Sequence, residues 1–371
     1  MTITTKAAVC WEIGQPWSVE ELQLDDPRPT EVLIKLQYAG LCHSDDHNIT
    51  GDFPAVLPVV GGHEGAGTVV AVGDRVTRVK AGDSVFVTAT PSCGVCKFCL
   101  DGRGWICDQN AFVMSGVRPD GSAKFRSADG RDVGSYTQLG TFSQHAVVDE
   151  TQVVPYDAQT VTPAAAALIS CGVITGWGSA VKAAEVRPGD VVALVGVGGV
   201  GHSAVQGARN AGARAIVAVD PVQLKRESAL KFGATHTAES VDAAVPIISG
   251  LTGNVMADSV IITVGVLNGE LIGESNKLLA KGGRLVTTSV ARFDDHSVPL
   301  PISEFSLSGK SWVGNVFGRA NRNDIAHIVE LTAAGQLDID SMITKEYTLD
   351  EINEGYRDMH DGLNVRGVIR F

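Results

Sequence analysis

Residues 191–220 read VVALVGVGGVGHSAVQGARNAGARAIVAVD. VVALVG is apolar and β-branched, as a strand covered on both faces must be. The glycine run 196–201, GVGGVG, follows it and opens a helical stretch, HSAVQGARNAGA. AIVAVD is the next strand and ends at Asp220, 19 positions after Gly201. A lone G-x-G-x-x-G is a weak signal. Strand, glycine turn, helix, strand and terminal acid in this order form a dinucleotide-binding fingerprint. The glycines permit a tight turn and close approach of the backbone to a pyrophosphate, whose charge meets free N–H groups at the helix start. Asp220 can accept hydrogen bonds from both ribose hydroxyls and repels a 2′-phosphate, so the expected cofactor is NAD rather than NADP.

The same alternation continues toward the C-terminus. DSVIITVG (258–265), GGRLVTTSV (282–290) and SWVGN (311–315) read as further strands, with helices near 222–233, 241–251 and 269–281. This predicts about six parallel strands in a doubly wound α/β sheet. Toward the N-terminus the pattern changes. Residues 1 to 90 carry short β-branched runs broken by Gly, Pro and Asp, which predicts an irregular antiparallel barrel. A helix (DIAHIVELTAAG) and a short tail follow Asn321, and the tail is expected to return to the first domain. Residues 111–140 are polar and rich in turns, and are expected to form a surface excursion near the site or a partner subunit. Residues 158–185 read as a helix start, a Cys-Gly break at Cys171, and a second helical run.

Two clusters carry chemistry. CHSDDH (42–47) and GGHE (61–64) place Cys42 and His63 21 residues apart among acids and hydroxyls. This stretch is read as one side of a catalytic zinc site. Cys93, Cys96, Cys99 and Cys107 follow C-x2-C-x2-C-x7-C. Four thiolates at this spacing can close a tetrahedral zinc sphere with no open position, a structural site. Cys171, taken alone, reads as a small buried hydrophobe. It gains a role only because Cys42 and His63 need a third partner.

The chain has 371 residues, enough for two domains, with 44% hydrophobic and 19% charged residues. A net charge of −12 argues against a nucleic-acid or anionic-membrane surface. No secretory leader is visible, and no apolar run is read as reaching the ~18 residues of a membrane span. Clustered cysteines without a leader point to metal binding in a reducing, cytoplasmic compartment.

The chain resembles the zinc-dependent medium-chain alcohol dehydrogenases over nearly its whole length. The resemblance rests on CHSDDH, GGHE, the four-cysteine lobe, CGVITGWGSA (171–180), GVGGVG with Asp220, and NVRGVIRF (364–371), in that order. It is similar in detail to an actinobacterial branch whose members hold NAD tightly and pass electrons to an external acceptor. The resemblance implies a GroES-like catalytic domain, 1–172 with 316–371, holding a zinc lobe at 92–108. It also implies an NAD-binding Rossmann domain at 173–315. Cys42, His63 and Cys171 would bind catalytic zinc, with Glu64 beside the metal and Asp45 orienting His63. Ser44 would bond the substrate hydroxyl, and His47 would receive its proton through the cofactor ribose. His43 and Arg366 would meet the pyrophosphate. Thr175, Gly196, Gly198, Gly199, Val200, Gly201, Asp220, Lys225 and Val264 would contact the cofactor. Two zinc ions per chain and a homo-oligomer, a dimer first, are implied.

The implied reaction is oxidation of primary alcohols to aldehydes, and the reverse. A dehydrogenase for thiol–formaldehyde adducts needs basic residues at the pocket mouth, which DQNAFVMSG (108–116) lacks. A zinc-free quinone reductase of this fold should lack the ligand triad. An NAD-binding redox sensor without turnover does not require Cys42, Ser44, His47, His63 and Cys171 together.

Overall fold

In the N-terminal strands, neighbouring residues feed different cores. Val32, Ile34 and Leu36 enter one cluster with Val69, Val85 and Val148. Leu33, between them, enters another with Ala7, Val9, Leu22 and Phe125. Ala8 and Cys10 in turn join Trp17, Leu41 and Phe142. Side chains alternate across a strand, so a strand covered on both faces is apolar throughout. That is why these runs cluster rather than alternate strictly with polar residues.

The structure, a computed structural model, describes residues 2–54 and 56–371, with Phe112 described by its backbone alone. The chain divides into two compact units, Met1–Cys171 with Asn321–Phe371, and Gly172–Ala320. In the first unit, strands Thr2–Cys10, Ser18–Asp25, Phe125–Arg126, Asp132–Ser135 and Val59–Val60 close a small barrel. A second sheet runs Val153–Pro155, Ser84–Val87, Gly65–Val72, Glu31–Gly40, Arg366–Arg370 and Ile343–Tyr347, with His145–Asp149 also paired to Glu31–Gly40. Arg366–Arg370 is antiparallel to Glu31–Gly40 and parallel to Ile343–Tyr347, so the C-terminal tail is an interior strand of this sheet.

Residues 111–140 are not a surface excursion. They supply two barrel strands, and Lys124, Phe125, Val133 and Leu139 are fully buried. The strands are two and four residues long, too short for a periodic signal among the turns that separate them.

The main sheet of the second unit has six parallel strands in the order His236–Ala238, Ala215–Val219, Val191–Val195, Ala257–Ile262, Leu279–Thr287, Ser311–Gly314. Chain order reverses beside Val191–Val195. That reversal is the switch point at which open α/β sheets bind ligands.

The expected break at Cys171 is absent. Pro163–Ala183 is one helical run of 21 residues. It contains π-helical turns at Ile169–Val173 and Ser179–Ala183. A π turn inserts a residue without ending the helix, and such turns are frequent at functional sites. By length and composition this helix could cross a membrane, contrary to the reading of the sequence, but 89% of its apolar window is buried inside the fold. That is the condition of a core helix.

Candidate metal and cofactor sites

Cys42 is the residue before helix His43–Thr50 and keeps extended backbone, φ −130°. Asp45 lies in the first turn of that helix. One of its carboxylate oxygens accepts the Gly62 N–H at 2.8 Å, and the other lies 2.9 Å from His63 Nδ1. Gly62 takes φ 89°, a left-handed value that glycine adopts freely. The Asp45 side chain therefore holds both the turn and the imidazole it delivers. Cys171 comes from the π turn. The donor atoms of Cys42, His63, Glu64 and Cys171 all lie within 4.8 Å of one another.

This cluster fits a metal. His63 Nε2 is buried and has no hydrogen-bond partner among the described residues. Burial alone would lower the basicity of His63, but Asp45 and the two thiols hold it well above the usual imidazole range. The Cys171 hydrogen bond holds the Cys42 thiol well below its ordinary value. Two thiols and one imidazole are the donors of a catalytic zinc site with an open fourth position. Glu64 is paired with the buried Arg366 guanidinium. Gly40 leaves the space for both groups, since a Cβ there would strike them.

Ser44 Oγ is 3.7 Å from Cys42 Sγ. His47 is buried, with Nδ1 3.4 Å from Asp52, and no hydrogen bond joins it to Ser44 among the described residues. Burial holds the half-buried His43 below the usual imidazole range. Its ring lies 6.3 Å from that of His360, whose Nε2 meets Asp46 at 2.7 Å. Two tyrosines that belong to this site carry no local signal in the sequence. Tyr136 sets its ring edge-on to His63, with centroids 5.5 Å apart. Tyr356 donates to the Cys42 carbonyl at 3.3 Å. Tyr136 also lines a narrow cavity with Asn48, Val59, Met114 and Thr137.

In the lobe, Cys93 and Cys99 have sulfurs 3.9 Å apart, as do Cys96 and Cys107. A zinc–sulfur bond of about 2.3 Å implies tetrahedron edges of about 3.8 Å, so these separations fit a zinc held by four thiolates. Backbone N–H groups point at the sulfurs, from Cys96 to Cys93 and from Cys99 to Cys96, each at 3.4 Å. The Asp108 and Cys99 amides hold the Cys96 thiol at about 6.

In the second unit, Gly196 has φ 85°, and a Cβ there would meet Val264 at 2.8 Å. At Gly198 a Cβ would meet nothing within 4 Å. No packing demands that glycine, which suits a backbone meant for contact with a pyrophosphate. Helix Gly199–Asn210 has no side-chain cap at its start, so its first N–H groups stay available to an anion. Asp220 accepts from the amides of Val197 and Val222, both at 2.9 Å. A carboxylate has about four lone-pair sites, so acceptor capacity remains for a ribose. Thr175 is buried in helix Ile174–Gly178, and Lys225 is half-buried in helix Gln223–Phe232.

Two family models match the chain: the alcohol dehydrogenase GroES-like domain over residues 28–158, and the zinc-binding dehydrogenase over 199–334. The NDMA-dependent alcohol dehydrogenase of Amycolatopsis methanolica is 45% identical over 98% of each chain. Alcohol dehydrogenase B of Mycobacterium tuberculosis is 47% identical over 99% of this chain and 98% of its own. Among solved structures, an alcohol dehydrogenase zinc-binding domain protein from Burkholderia ambifaria aligns over 100% of both chains, with a TM-score of 0.92 at 30% identity. Benzyl alcohol dehydrogenase from Acinetobacter calcoaceticus aligns over 100% of this chain and 99% of its own, with a TM-score of 0.91 at 26% identity. This chain belongs to the zinc-dependent medium-chain alcohol dehydrogenases, α/β enzymes of GroES-like and Rossmann domains that oxidise alcohols with zinc and NAD.

Proposed function

We propose that this protein oxidises primary alcohols to aldehydes, and runs the reverse, with an NAD that stays bound and is recycled by an external electron acceptor. The cluster of Cys42, His63, Glu64 and Cys171 carries the zinc part of this reading. The 45% identity to a relative named NDMA-dependent supports the acceptor. A relative named S-(hydroxymethyl)glutathione dehydrogenase, from Saccharomyces cerevisiae, is 35% identical, which favours a simple alcohol over a thiol adduct.

When bound, zinc lowers the pKa of an alcohol toward neutrality and NAD takes up the hydride. In this reading Cys42, His63 and Cys171 hold the metal, and Asp45 fixes the His63 ring by its Nδ1. Arg366 balances the Glu64 carboxylate and keeps it beside the ligands without a net buried charge. Ser44 Oγ accepts the proton of the substrate hydroxyl as it gives up its own. The His47 imidazole, which has Asp52 at its Nδ1 and no direct bond to Ser44 among the described residues, is the terminal base. Cys93, Cys96, Cys99 and Cys107 hold the second, structural zinc. Gly196, Gly198, Gly199, Val200, Gly201 and Asp220 bind the dinucleotide, with Lys225, Val264, Thr175, His43 and Arg366 as further contacts. A homodimer in the cytoplasm completes the proposal.

The test is purification without added cofactor, followed by absorbance and metal analysis. Bound reduced nicotinamide, two zinc ions per chain, and alcohol oxidation only with an artificial acceptor are expected. Cofactor-free protein that reduces added NAD would overturn the acceptor-dependent version.

A further inference from the structure

Thr137 and Gln138 both have left-handed backbone, φ 49° and 60°. Residues with a Cβ avoid that region, and two in succession persist only where their surroundings over-determine them. Two buried side chains do so. Lys124, 1% exposed, donates from Nζ to the Gln138 carbonyl at 2.5 Å. That is its only side-chain hydrogen bond among the described residues. Gln152, 2% exposed, donates from Nε2 to the Thr137 carbonyl at 3.2 Å and to that of Thr88 at 3.1 Å. A buried ammonium is costly, and burial pulls this one down to about 8.

The stretch so held lies against the metal cluster. Thr141 and Phe142 donate from their amides to the carbonyls of Gly62 and Gly61, at 3.0 and 2.9 Å. Thr141 Oγ1 donates to the Glu64 carbonyl at 2.8 Å. Tyr136, one residue before the left-handed pair, packs edge-on to His63 and lines the cavity with Thr137, Asn48 and Met114.

We infer that Lys124 and Gln152 are positioning residues for alcohol oxidation: by holding the two left-handed carbonyls they fix Tyr136 against His63, and Tyr136 then serves as a wall for an alcohol bound at the donor cluster. This rests on the proposed function above. Neither side chain reaches the donor cluster itself. Both act through the turn, so their removal loosens the wall without removing a ligand. Bulky alcohols, which lean on the wall, feel the loss more than short ones.

The experiment compares Lys124→Met and Gln152→Leu with wild type, each assayed on a short and an aromatic primary alcohol, with zinc content measured. KM for the aromatic alcohol should rise by about tenfold or more while kcat changes by less than about threefold, the pattern of lost uniform binding. Two zinc ions per chain should remain. Gln138→Gly removes the left-handed penalty, so in the Lys124→Met background it should recover a large part of KM. Absorption of the Co2+-substituted protein is read in parallel, and a band shifted at full metal content supports the clamp without reference to turnover. Unchanged KM with an unshifted band overturns it. Equal losses for both alcohols that Gln138→Gly does not recover overturn it as well. If Lys124→Met fails to fold, Gln152→Leu decides by the same readings. A wild type without alcohol oxidation would refute the proposed function separately, and the cobalt band then decides the clamp alone.

Discussion

Asp45→Asn removes one charge and almost no volume from the centre of the first unit. Asp45 and His63 are 0% and 2% exposed, and Oδ2 lies 2.9 Å from Nδ1. The asparagine oxygen can still accept the Gly62 N–H, so the turn before His63 should survive. Its amide nitrogen would then face the Nδ1–H of an imidazole that gives Nε2 to the metal, donor against donor. Hydrogen bonds to charged groups contribute about 1.5–3 kcal/mol, or roughly 10- to 150-fold in an equilibrium constant. Partners that orient a metal-binding histidine typically matter by about 10–100-fold in metal affinity. The two figures agree, so catalytic zinc should leave at a chelator concentration about 10–100-fold lower than in wild type. The four-cysteine site should be unmoved, because Asp45 is not among its donors. Zinc release is followed against chelator concentration, with the two ions resolved as separate steps. Two unmoved midpoints would refute the reasoning about Asp45. Two midpoints shifted together would mean general destabilisation instead.

Cys171→Ser should leave one zinc per chain by elemental analysis and no alcohol oxidation, whereas Cys93→Ser should lose the lobe zinc with catalytic zinc retained at low temperature. Ser44→Ala should lower turnover by roughly 10²-fold or more if its hydroxyl takes the substrate proton; unchanged kcat would remove it from the mechanism. Asp220→Ala should narrow the preference for NAD over NADP in binding titrations, since the carboxylate that repels a 2′-phosphate is gone. Lys124 has a folded pKa pulled by burial from 10.5 to about 8. Between those values the unfolded chain binds the extra proton, so rising pH stabilises wild type relative to Lys124→Met, by about 3 kcal/mol across the window. Paired denaturant titrations at pH 8 and above check the sign, and a constant difference would show that the amine is not buried as described.

Local patterns were legible wherever one stretch of chain holds the whole signal. The strand–glycine–helix–strand unit at 191–220 is such a case, and so is the four-cysteine lobe, whose donors lie within 15 positions. The family's motifs placed Cys42, His63 and Cys171 in one set although 129 positions separate the outer pair. Spacing alone left Cys171 a buried apolar residue. Cys-Gly looks like a stop in the sequence, whereas a π turn absorbs the irregularity inside a continuous helix. Residues 111–140 read as surface because two- and four-residue strands leave no periodicity.

By itself the sequence determined which donors exist, the dinucleotide turn, and the acid that follows it. Those features are set by residue type and by short-range backbone geometry. Only the tertiary structure decided that Arg366 pairs with Glu64, and that a lysine buried beside the barrel strands bonds the turn that follows Tyr136. Arg366 and Glu64 are 302 positions apart. Their meeting depends on the C-terminal strand pairing with Glu31–Gly40. Long-range pairing is set by the burial of whole faces, and no local run of residues encodes it.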